Sequence, residues 1–258
     1  MPVPLRDVVG YLDATLAIDR FRDFAPNGLQ VEGTTEVETV VTGVSASVEL
    51  IARAVELGAD LIVVHHGLVW GQGLIRIAGP LARRLRLLLA DNVSLAAYHL
   101  PLDHHPRLGN NAGLCDALGL GSSREPFGDV RGTPLGVAAE WSAPLARDEA
   151  IGQIAAGVCG GEPPRFVFPY GPQLVRRVGA CSGAASDLLE AAAAAGCDLF
   201  ITGELAERAG ELAHELAITL VAAGHYATEV FGPMRIAAQL RLQFPALEVQ
   251  FVAVPSPL

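Results

Sequence analysis

Short apolar runs set the terms for folding in the first half of this chain. VVTGV (Val40–Val44) and LIVV (Leu61–Val64) are continuous rather than alternating, which is the pattern of strands covered on both faces. SLAAY (Ser94–Tyr98) is a third candidate strand. Between the first two, Val48, Ile51, Ala52, Val55 and Leu57 recur at helical spacing and stop at Gly58. Pro80 to Asp91 is an Arg/Leu-rich helix. Strands alternating with helices predict an α/β fold with mainly parallel sheets.

The second half repeats this order. RRVGACSGAASDLLEAAAAAGCDLFITGE (Arg176–Glu204) runs strand, Gly/Ser turn, helix, Gly-x-Asp, strand. Setting Gly58-Ala59-Asp60 against Gly196-Cys197-Asp198 aligns LIVVHH with LFITGE, and ITLVAAG (Ile218–Gly224) then matches SLAAY. The expectation is an internal duplication, with a first repeat over 1–125 and a second over 173–258. The intervening 126–172 reads as strand, helix, strand, with Gly/Pro-rich breaks.

The chain has 258 residues, of which 51% are apolar and 18% charged. No apolar stretch approaches the ~18 residues of a membrane span. Arg6, Asp7 and Asp13 interrupt the N-terminal apolar positions, so that segment reads as an amphipathic helix and not a signal peptide, and the expected location is cytoplasmic. Cys115, Cys159, Cys181 and Cys197 form no CxxC pair, which leaves thiolate metal sites unsupported. The net charge of −10 disfavours direct nucleic-acid binding. All 18 basic residues are arginine, so neither a Walker A lysine nor a Schiff-base lysine exists.

Chemistry is left to histidine and the carboxylates, and these cluster after strands. His65-His66 follows LIVV, HLPLDHHP (His99–Pro106) follows SLAAY, and GHYATE (Gly224–Glu229) follows ITLVAA. Ligands of parallel α/β sheets collect beyond the carboxyl ends of strands, so one sheet edge is expected to receive all three clusters. Imidazole with carboxylate suits Zn²⁺, Mn²⁺ or Fe²⁺. His225 and Glu229 are four apart and share a face if Tyr226 begins a helix; Glu229, with two carboxylate oxygens, is then the natural bridge between two ions. A His-His pair at a strand end has no packing advantage, which favours ligation by His65 and His66. His99 reads as an orienting or acid–base residue. His104 reads as a solvated loop residue and His214 as a helix-surface residue. Glu204, at the strand end matching His66, reads either as a base or as the start of the next helix.

NGLQVEG (Asn27–Gly33), DLIVVHHGLVWG, AAYHLPLDHHPRLGNNAGL, FITGELAE and AAGHYATE occur in an order that resembles the Ngg-one-interacting-factor-three-like family, also labelled GTP cyclohydrolase 1 type 2 homologues. The likeness runs from about Asp7 to Leu240 and matches the short form, without an inserted central domain. It implies two similar, intertwined α/β domains with a dinuclear metal site in the cleft between them. His66 and Asp103 would hold one ion, His65 and His225 the other, and Glu229 both. It also implies a toroidal homohexamer.

Two functions follow as expectations. One is metal-dependent hydrolysis, with Glu204 and His99 as candidates for proton transfer and Arg107 as a candidate phosphate contact. The other is a non-catalytic metal-binding or partner-binding protein.

Overall fold

The computed structural model describes residues 1–71 and 76–256, and the chain divides into two units. The first comprises Met1–Leu102 with Gly232–Val254, and the second Asp103–Phe231 with Pro255 and Ser256. The 126–172 segment therefore packs within the second unit, while the helix Phe231–Gln243 and strand Glu248–Phe251 return, from Gly232 on, to the first.

The first unit is built on a five-stranded sheet. Thr39–Ser45, Leu61–His66 and Ser94–Ala97 lie side by side in parallel, as their apolar runs predict. Glu248–Phe251 adds a parallel edge and Gly28–Val31 an antiparallel one. The helix Val48–Glu56 starts on Ser47, whose hydroxyl accepts from Leu50 N. Its Leu50, Ile51 and Ala54 pack with Val41, Ile62, Val64 and Leu95 in one buried cluster. Gly43 lets that helix approach, because a Cβ there would stand 2.6 Å from a Leu50 methyl.

The second unit carries a six-stranded sheet in which Leu174–Ala180, Leu199–Thr202 and Thr219–Ala222 are parallel neighbours. Its other three pairings are antiparallel: Phe166–Pro169 on Thr219–Ala222, Thr133–Ala146 on Leu174–Ala180, and Glu125–Val130 on Thr133–Ala146. The sheet is thus mixed, not mainly parallel as expected. The stretch from Glu125 to Pro169 donates three strands, and the two-residue turn between Glu125–Val130 and Thr133–Ala146 allows only antiparallel pairing of those two. Leu114, Trp141, Ile154, Val178, Ile201 and Val221 form the core.

Both units turn the same corner in the same way. Gly58 and Gly196 have positive φ, +68° and +74°. Asp60 Oδ2 accepts from the amides of Glu38 and Thr39, and Asp198 Oδ2 from those of Arg176 and Arg177. Each carboxylate satisfies two consecutive amides in or next to the neighbouring parallel strand, which is why an acid follows the glycine by two in both places.

Candidate metal centre

His65 and His66 end the central strand of the first sheet, and His99 follows the neighbouring strand Ser94–Ala97. Parallel pairing of Val64 with Ala97 sets the two strand ends level. The three imidazoles gather: ring centroids lie 4.5 Å apart for His65 and His66, 5.1 Å for His65 and His99, and 5.7 Å for His66 and His99. One ligand atom from each can lie within 4.8 Å of the others. His65 is fully buried.

Each of these rings is oriented through Nδ1. His65 Nδ1 lies 2.9 Å from the carbonyl oxygen of Tyr98, so it donates and Nε2 is the basic nitrogen. His66 Nδ1 meets Ser45 Oγ at 3.0 Å. His99 Nδ1 meets Asp23 Oδ1 at 2.7 Å, and Asp23 is itself held by Asn27 Nδ2 and the amide of Leu100. Burial works against the Asp23 carboxylate, but the hydrogen bonds and charge of its partners outweigh it and keep its pKa below the usual range. The backbone around His99 is fixed by Asn27 Oδ1, which accepts from its amide. Nδ1 held by the protein and Nε2 offered as donor is the usual arrangement of metal-ligating histidine.

The second unit repeats the device. His225 opens the short helix His225–Glu229, so the conditional expectation of a shared helical face holds. Its Nε2 lies 3.1 Å from Glu229 Oε1, and its Nδ1 2.6 Å from Glu204 Oε1. Burial opposes the imidazolium, but Glu229 and Glu204 outweigh it and raise the His225 pKa to about 9. Glu204 does not begin the next helix, which starts at Ala209. Its amide donates to Gly183 O, and its carboxylate is 41% exposed.

Asp103 and Glu229 are buried, at 5% and 3% exposure. Asp103 Oδ1 accepts from Asn110 Nδ2 and Ser182 Oγ, both at 2.8 Å. Gly183, at φ +65°, lies against Glu229: a Cβ there would stand 2.4 Å from Glu229 Oε1. Cys181 beside them is held in its thiol form, first by burial and then by the negative charge of Asp103.

The expectation that a single sheet edge receives all three clusters is corrected. His65-His66 and His99 follow strands of the five-stranded sheet, whereas the strand preceding GHYATE belongs to the six-stranded one. His104 ends the helix Leu100–His104 half-buried, not in a solvated loop. His214 is an exposed helix residue, as expected, with its ring 4.5 Å from that of Tyr170. Arg107 is exposed. Sequence reading assigned no role to Asp23, Ser45, Asn110 or Ser182; Asn27 and Asn110 lay within motifs but carried no chemistry of their own.

The donors, imidazole nitrogens and buried carboxylate oxygens, form groups that can hold metal ions. The model for the family DUF34/NIF3 (NGG1p interacting factor 3) matches residues 3–257. The chain belongs to this family. It is 41% identical over 254 residues to a GTP cyclohydrolase 1 type 2 homolog of Archaeoglobus fulgidus, covering 98% of this chain and 99% of the relative. A protein of the same name from Escherichia coli K12 is 40% identical over 235 residues, 91% of this chain and 92% of that one. The solved structure of the protein ybgI superposes with a TM-score of 0.90 at 37% identity, over 99% of this chain and 100% of that one. TTHA1606 from Thermus thermophilus gives 0.84 at 32%, over 99% and 100%. In this DUF34/NIF3 member, no helix among the described residues is long and apolar enough to cross a membrane.

Proposed function

We propose that this DUF34/NIF3 member is a dinuclear metal-dependent hydrolase. His65, His66, Asp103, His225 and Glu229 are its ligands for two divalent ions, of zinc, manganese or iron. The observation that carries the reading is the common orientation of the imidazoles: His65, His66, His99 and His225 each have Nδ1 against a protein oxygen. In the proposed assignment His66 and Asp103 serve one ion, His65 and His225 the other, and Glu229 both. The donor set fits such ions, because buried carboxylates and Nε2 donors are what hard and borderline cations take.

Divalent ions held there would supply Lewis-acid activation of a substrate oxygen. The chain's own residues do the rest. Glu204 holds the Nδ1 proton of His225, which fixes the tautomer that leaves Nε2 as the donor. Its partly exposed carboxylate is also the proposed acid–base group, and His99, oriented by Asp23, is the second. Buried Asn110 and Ser182 orient the Asp103 carboxylate by donating to its Oδ1.

The matched Gly-x-Asp corners support descent from a duplication, with 1–125 and 173–258 as the copies and 126–172 as the segment between them. We also propose a cytoplasmic homo-oligomer, a toroidal hexamer by family likeness, with a small-molecule substrate. The test is a metal-loaded sample screened against nucleotides, cyclic amides and phosphoesters, with metal content measured in parallel. Turnover that disappears with the metal supports hydrolysis. Two bound ions with no turnover across the panel would favour the second reading, a non-catalytic metal-binding or interaction protein, which the family's description as an NGG1p interacting factor favours.

A further inference from the structure

Beside the imidazole group of the first unit, two large aromatic side chains face solvent. Trp70 and Phe24 are each 42% exposed. Their rings approach the histidines: Trp70 lies 5.1 Å from His99 and 5.8 Å from His66, and Phe24 lies 6.2 Å from His99. The two segments that carry them are braced to one another. Gly71 N donates to the carbonyl of Phe24 at 2.7 Å, and Trp70 Nε1 donates to Gly67 O at 3.2 Å. Gln30 ties the rest together. Its Oε1 accepts from the amides of Leu68 and Val69, and its Nε2 donates to Pro26 O. Gly67 is required for this, since a Cβ there would stand 2.2 Å from Gln30 Oε1.

Large aromatic side chains ordinarily contribute by burial, and a pair kept exposed on a braced scaffold beside ligand-type histidines is the composition of a small-molecule subsite. The chain's charge of −10 gives a polyanion little electrostatic attraction, so recognition of a nucleotide-like substrate would have to come from its ring. We propose that Trp70 and Phe24 form a stacking face for a planar heteroaromatic ring, which makes them the residues that select the substrate. This deepens the hydrolase reading, but ring binding itself needs neither turnover nor metal.

The experiment uses guanosine, which carries the ring without phosphate, on the full chain with and without added metal. Trp70 and Trp141 are the two tryptophans, and Trp141 is buried with Nε1 on Leu118 O at 2.7 Å. Saturable, inner-filter-corrected quenching of tryptophan emission is expected in the native protein and is lost in Trp70→Phe, which keeps Trp141. By calorimetry, Trp70→Ala and Phe24→Ala each weaken guanosine binding roughly 5- to 150-fold, with metal content and melting temperature unchanged. Should Trp70→Ala fold poorly, Trp70→Leu serves in its place. Absence of quenching in the native protein, or equal quenching in Trp70→Phe, overturns the proposal. So does unchanged guanosine affinity in Trp70→Ala together with a smaller mass by light scattering, which would give the face to a second copy of the chain. Metal content, read in the same samples, tests the metal centre separately.

Discussion

Glu229 and His66 are both proposed ligands, but their surroundings predict unequal losses. Glu229 is buried, contacts His225 Nε2, and is the residue assigned to both ions. His66 is oriented by Ser45 and assigned to one. Glu229→Gln, which removes the charge and keeps the shape, is therefore expected to release more metal than His66→Ala; equal retention of both ions in the two variants would refute the bridging role. Glu204→Gln separates two duties of one side chain. An amide oxygen still accepts from His225 Nδ1, so both ions are expected to stay while turnover falls ~10²–10⁴-fold, as for loss of a general base. A loss under tenfold with metal retained would make Glu204 a residue that only orients His225. The candidate donors could be read from sequence because imidazoles and acids recur at strand ends. Asp23, Ser45 and Ser182 could not, since each acts across long sequence separations through a hydroxyl or acid that looks like any loop residue.

The parallel strands and the helices between them were readable because buried parallel strands are continuous apolar runs, and Val48–Glu56 keeps a clear helical period. The antiparallel half of the second sheet was not. The sequence around Thr133–Ala146 reads as a strand but says nothing about which neighbour it takes. Element ends are where glycine decides the site. Gly183 and Gly58 both have positive φ, but a Cβ at Gly183 would collide with Glu229 Oε1 while one at Gly58 meets nothing within 4 Å. Both alanine variants are expected to lose about 1–2 kcal/mol for the left-handed backbone. Only Gly183→Ala is expected also to lose metal, read by chelator competition; equal metal affinity in both would show that Glu229 does not need its present position.

At the scale of the whole molecule, family membership rests on 3–257, nearly the entire chain, so the expectations about assembly apply to its full length. Phe166 and Tyr170 are exposed at 59% and 43% in and just after the Phe166–Pro169 edge strand of the second sheet. Apolar side chains grouped at an open edge are a surface for self-association. Light scattering at micromolar concentration is expected to give a mass above the 27.0 kDa of the chain. A monomer at that concentration would contradict the homo-oligomer. The central claim, however, is the pair of ions, and elemental analysis of purified, metal-supplemented protein tests it most directly. Close to two divalent ions per chain are expected, released together by Glu229→Gln. One ion or fewer per chain after supplementation would contradict it.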